Sequence, residues 1–160
     1  MQPRAKLTRA EIRRLLQLLD AELAAQAVEG ELCLVGGAVM CLVLDARDAT
    51  RDVDGPKAGV SESWLNDAVK GFLSARGEFE AYLELPNLRV FVARPEYLLA
   101  MKCAAMWLGE EFHDLEDVRY LLRYLNISTV EEALVVVTRY FDAKQLLPKV
   151  RLALEELLSA

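Results

Sequence analysis

The sequence predicts an α+β fold: a small mixed sheet flanked by helices, with a helical segment toward the C-terminal end. Three observations carry that prediction. Short apolar runs bounded by glycine or proline, Leu32 to Val35 and Leu88 to Val92, have the length and character of strands. Longer stretches repeat apolar residues at helical spacing behind capping signals. The strand signals come first, and everything after Pro95 reads as helix. The reading divides the chain into a core over residues 1–94 and a helical segment over 95–160, packed together as one domain.

The elements follow in order. Thr8-Arg9-Ala10-Glu11 is a capping box, and Ile12, Leu15, Leu16, Leu19 and Leu23 then recur on one helix face. That helix is expected to run to Val28, where Glu29-Gly30 stops it. Leu32 to Val35 reads as a buried strand and Gly37 to Leu44 as a helix opening at a glycine pair. Arg51 to Gly55 reads as a strand whose alternation sets Asp52 and Asp54 on one face. Gly55 to Gly59 reads as a loop, and Trp64, Leu65, Ala68, Val69 and Phe72 mark a further helix. Phe79 to Leu85 and Leu88 to Val92 flank Pro86-Asn87 as a hairpin or two neighbouring strands. Pro95 suits the first position of a helix to Leu108 that buries Leu98, Met101 and Ala105. Asp114 and Asp117 open the next, through Leu125. Ser128-Thr129-Val130-Glu131 is a second capping box, with a helix to Phe141, and Pro148 starts the last one, to Leu158.

Composition narrows the class. The chain has 160 residues, 54% of them apolar and 28% charged, which suits a folded protein with a sizeable core rather than a disordered one. The net charge of −6 argues against a general nucleic-acid binder, so any such contact must be local. Arg4, Lys6, Arg9, Arg13 and Arg14 cluster near the N-terminus, where they can form a phosphate-facing patch, although a solvated helix face is the reading preferred. Cys33, Cys41 and Cys103 lie in apolar segments without metal-ligand spacing, as expected of buried thiols in a reducing cytoplasm. No apolar run is long enough to span a bilayer, so no membrane partner is expected. His113 is the only histidine and cannot be half of a two-histidine metal site.

One constellation carries chemistry. Val35-Gly36-Gly37 ends an apolar run, and Arg51-Asp52-Val53-Asp54 follows after a short gap. The glycine pair suits a tight strand-to-helix turn, and such a turn also presents backbone N–H groups and a helix N-terminus to phosphate. Two aspartates one residue apart on a strand project to one side, where they can share Mg²⁺ with water and phosphate oxygens.

Gly-Gly followed by Asp-x-Asp on the next strand resembles the DNA polymerase β-type nucleotidyltransferase superfamily. The segments Pro95 to Lys102 and Phe112 to Val118 are similar to the Lys and Asp motifs of its AbiEii-like members and their relatives of unknown function. The resemblance implies Asp52 and Asp54 as catalytic metal ligands for Mg²⁺. It implies Gly36, Gly37 and Arg51 at the nucleotide, Lys102 at the triphosphate, and Asp114, with Asp117, as a later acidic motif. For Asp114 and Asp117 a plain helix-start role fits as well, because acids there complement the helix dipole. The implied activity moves an NMP from an NTP to a hydroxyl of RNA (a tRNA end) or of a protein, with a toxin–antitoxin or phage-defence setting and a cognate antitoxin as partner.

The chain also departs from that family. The family usually brings a third carboxylate from a following strand, whereas Leu88 to Val92 has none and Glu84 is the nearest acid. Only Gly55 to Ser63 separates Asp54 from Trp64, a shorter stretch than relatives have. Met106-Trp107 stands where relatives place an arginine. The alternative is therefore a catalytically degenerate nucleotidyltransferase-fold protein that acts as a binding module.

Overall fold

The computed structural model describes residues 6–44, 49–50, 53–54, 57–58, 65–66, 78–106, 112–142, 144 and 148–159. The chain forms two compact units, one of residues 1–71 with 79–93 and one of residues 72–78 with 94–160. The class is α+β, with a mixed sheet and six helices among the described residues.

The first unit is built on a four-stranded sheet. Strands β1 (Leu7–Thr8), β2 (Gly30–Leu34), β3 (Ala49–Thr50), β4 (Val53–Asp54), β5 (Lys57–Ala58), β6 (Leu65–Asn66), β7 (Phe79–Glu84) and β8 (Leu88–Ala93) occur in chain order. The sheet runs β5-β2-β8-β7, with β2 and β8 parallel and the outer pairs antiparallel. Leu32 and Leu34 of β2 and Leu88, Val90 and Val92 of β8 are buried on the same face. On the other face Arg89 meets Glu31 at 2.8 Å. This alternation is why a short apolar strand holds a single register: a one-residue slip would bury Glu31 and Arg89.

Helix α1 (Arg9–Ala25) packs beside β8 through Ile12, Leu16, Leu19 and Leu23. Its capping box forms as the sequence predicts, Thr8 and Glu11 each bonding the other's backbone N–H. The helix ends three residues before Val28. Ala27 takes φ 54°, its N–H donates to the Ala24 carbonyl, and the Val28 N–H reaches back to Leu23. This six-to-one closure normally uses glycine at the left-handed position. The hairpin tip is tied to this helix. The Asn87 N–H donates to Asp20 at 2.7 Å, and the Asn87 side-chain amide donates to the Val28 carbonyl at 3.0 Å.

Several expectations in this unit are corrected. β2 begins two residues earlier than Leu32, because Gly30 and Glu31 pair with Leu88 and Arg89. Helix α2 (Gly37–Leu42) stops short of Leu44. Lys57–Ala58, expected in a loop, is strand β5 against Glu31 and Leu32. Leu65–Asn66, expected in a helix, is strand β6, parallel to β4. Both corrections have one cause: pairing with a distant strand overrides a local signal of two or three residues. The hairpin carries a bulge at Tyr82, whose hydroxyl accepts from Arg13 at 3.2 Å. Arg9 donates to the Cys41 carbonyl at the end of α2. Two arginines of the expected solvated face therefore work as internal ties.

The second unit is helical, of α3 (Pro95–Met106), α4 (Phe112–Tyr124), α5 (Val130–Thr138) and α6 (Pro148–Ser159). Helix α3 is the centre and packs against the other three. Tyr97, Leu98, Leu99, Ala100, Met101 and Cys103 are all buried, so α3 is apolar around its circumference, as a central helix requires. Burial pushes the Cys103 thiol up to about 12, which makes it unreactive. The outer helices each bury one stripe: Val118, Leu121 and Leu122 on α4, Val136 and Val137 on α5, Val150 and Leu154 on α6. Tyr97 and Tyr140 stack at a tilt, 5.0 Å between centroids. The second capping box sits one residue later than expected, with Thr129 as the cap and Glu132 as its partner. Ser128, expected as the cap, donates its own N–H to Glu132 instead. Asn126, at φ 61°, closes α4 as Ala27 closes α1, with Ile127 reaching back to Leu122.

Candidate functional site

The glycine pair forms the tight strand-to-helix turn that the sequence predicts. Gly36 follows β2 with φ 68° and ψ −145°, a region that only glycine enters without strain. Its carbonyl accepts the N–H groups of Val39 and Met40 and starts α2, which has no side-chain cap. All six residues of α2, Gly37 included, are buried. A fixed, enclosed helix therefore begins at the C-terminal end of a central parallel strand. In open sheets this end is where ligands bind.

Asp54 lies on β4, which pairs with β6 through Val53 with Leu65 and Asp54 with Asn66. β4 and β3 both pack against α2. The strand bearing Asp54 and the helix opened by Gly36 and Gly37 are thus neighbours within the first unit. Arg51 and Asp52 lie outside the described residues, as do Trp64 and Trp107. Among the described residues no three His, Cys, Asp or Glu side chains converge as metal ligands.

The remaining assigned residues belong to the second unit. Lys102 on α3 meets Asp117 on α4 at 2.9 Å, with the side chains 12% and 5% exposed. Asp117 is the single buried charged residue among the described residues. The burial of Asp117 calls for a partner, and Lys102 supplies one. Asp114 and His113 stand in the first turn of α4, their side chains outside the described set.

The register settles where the hairpin acids fall. Glu84 opposes Arg89 at the start of β8, the end of the sheet away from Gly36. Glu80 opposes Val92, which opposes Leu34, so Glu80 is the hairpin acid at the Gly36 end. Its strand is nevertheless the far edge of the sheet, three strand spacings or about 14 Å from β5. Only the pairing frame distinguishes Glu80 from Glu84; composition and spacing do not. A cavity of about 180 Å³ opens at the opposite end, beside Glu29, Glu84 and Asn87, and includes none of the assigned residues.

No protein-family model and no curated protein sequence matches the chain. Among solved structures it is similar to the crystal structure of an antigenic nucleotidyltransferase-like protein from Paracoccidioides brasiliensis. The TM-score is 0.49 at 15% identity, over 94% of this chain and 95% of that one.

Proposed function

We propose that this chain is a Mg²⁺-dependent nucleotidyltransferase of the polymerase β type, in its AbiEii-like branch, moving an NMP from an NTP to a hydroxyl acceptor. The observation that carries the reading is the Gly36 turn: a glycine-only conformation at the end of β2, opening a buried helix against which the Asp54 strand packs. In this reading the turn takes phosphate oxygens, and Asp52 and Asp54 orient the α-phosphate. The family resemblance gives Arg51 to the nucleotide, Lys102 to the leaving pyrophosphate and Asp114 to a later acidic motif. The donor set is chemically apt for Mg²⁺, since two carboxylates are hard oxygen ligands and leave room for water and phosphate. The ion would neutralise charge on the attacking and leaving oxygens. An acceptor on tRNA or protein, and a cognate antitoxin in the cytoplasm, complete the proposal.

The test is transfer of label from each α-labelled NTP to total tRNA and total protein. Asp52→Ala with Asp54→Ala, folded, should abolish transfer, as should chelation of Mg²⁺. Undiminished transfer by that variant would remove the site. A second reading has its own support. Lys102 is held by Asp117 and β8 carries no acid, which suits a degenerate fold that acts as an interaction module and binds nucleotide weakly or not at all. A nucleotide that binds only the native state raises Tm. A rise with NTP and Mg²⁺ favours the enzyme, and no rise with any of the four NTPs favours the binding module.

A further inference from the structure

One face of α4 is unused by the site above. Arg119 and Arg123 repeat at i and i+4, and Tyr120 and Tyr124 repeat beside them, so the helix presents a ridge of cations next to a ridge of aromatic rings. Like charges at this spacing repel, and among the described residues neither arginine meets a carboxylate. Both border a cavity of about 230 Å³ floored by Leu122, Ile127 and Leu157. The two tyrosine rings stack at 17°, 6.2 Å between centroids, and Tyr124 is 55% exposed. Glu116 lies three residues before Arg119 on the same helix, and Glu132 accepts from Ser128, which also lines the cavity.

We propose that this face of α4 binds single-stranded RNA, with Arg119 and Arg123 on phosphates and the Tyr120–Tyr124 stack against an unpaired base. The pairing of cation and aromatic ridge selects this ligand. A free phosphate or an acidic peptide would use the arginines and leave the rings idle, whereas a duplex hides the base faces that rings stack on. As an RNA-binding face the proposal stands on α4 alone. As the acceptor contact of the transferase, making RNA rather than protein the acceptor, it rests on the reading above.

Fluorescence anisotropy of the full chain with labelled oligouridylate tests it. Arg119→Gln with Arg123→Gln should weaken binding about tenfold and flatten its salt dependence, which for two phosphates on a single strand has a slope of about −1.4. Tyr124→Leu should weaken binding several-fold while Tyr124→Phe leaves it unchanged, because stacking needs the ring and not the hydroxyl. All these positions are at the surface, and an unchanged Tm confirms that the variants are folded. Absent binding by the wild type, equal binding of duplex RNA, or indifference to both sets of variants overturns the proposal. Asp52→Ala with Asp54→Ala should still bind the oligonucleotide. Intact NMP transfer with flat anisotropy therefore sinks the RNA face alone, and RNA binding without transfer by the wild type sinks the catalytic reading alone.

Discussion

The two units place their polar chemistry in different parts of the chain. In the sheet unit every buried side chain among the described residues is apolar, and the distinctive feature is backbone: Gly36 in a conformation closed to other residues, opening a helix with no side-chain cap. In the helical unit the distinctive feature is a pair of side chains, Lys102 and Asp117, enclosed between α3 and α4. A backbone device leaves its trace in one residue type at one position. A side-chain pair leaves no local trace, because its members are brought together only when two helices dock. Each unit is therefore vulnerable in its own way: the first to a Cβ, the second to the loss of one charge.

The largest expected effect breaks the second unit. Lys102→Met removes the cationic partner of a buried carboxylate and should cost about 3 kcal/mol in chemical denaturation. Lys102→Met with Asp117→Leu should recover most of that loss, because a well-packed apolar pair replaces an ion pair at little cost. A single-variant loss below about 1 kcal/mol would place the pair among surface interactions.

Gly36→Ala applies the same logic to the first unit. Forcing a Cβ into φ 68° and ψ −145° should cost about 1–3 kcal/mol, less than the stranded charge. If the turn also holds phosphate, the variant loses the NTP-dependent rise in Tm as well as stability. A variant as stable as the wild type would show that the turn is not constrained.

The smallest effect tests what the units share, a Thr–Glu capping box apiece. Backbone N–H groups of Ser128 and Thr129 hold the Glu132 carboxyl below its ordinary range, and the Thr8 backbone N–H does the same for Glu11. A carboxylate lowered in the folded state adds stability above its unfolded pKa, and that contribution disappears as pH falls through the folded value. Glu11→Gln and Glu132→Gln keep the hydrogen bonds and lose the titration. Their denaturation midpoints should therefore fall less than the wild type's between neutral pH and acid. Parallel pH profiles for wild type and variants would dissociate the caps from acid sensitivity.

The helices were legible because their signals are local. Thr8 with Glu11, the Ile12-Leu16-Leu19-Leu23 stripe, and the prolines at 95 and 148 each act within a few residues, and the structure has helices at all of these places. The segment after α2 was not. Leu65 begins an apolar pattern of helical period, yet Leu65–Asn66 pairs with Val53–Asp54, and Lys57–Ala58 joins the sheet from a glycine- and proline-rich stretch. Two-residue strands owe their existence to a partner elsewhere in the chain, and their own residues do not name that partner.

By itself the sequence determined the α+β class, the helix caps and the glycine turn, since each is dictated by the conformational preferences of neighbouring residues. Tertiary structure alone decided that Lys102 is matched to Asp117, that Glu80 rather than Glu84 shares the Gly36 end of the sheet, and that Arg119 and Arg123 border one cavity with Leu157. Those relations depend on register and helix docking, which are set by the burial of whole faces and not by the residues that end up adjacent.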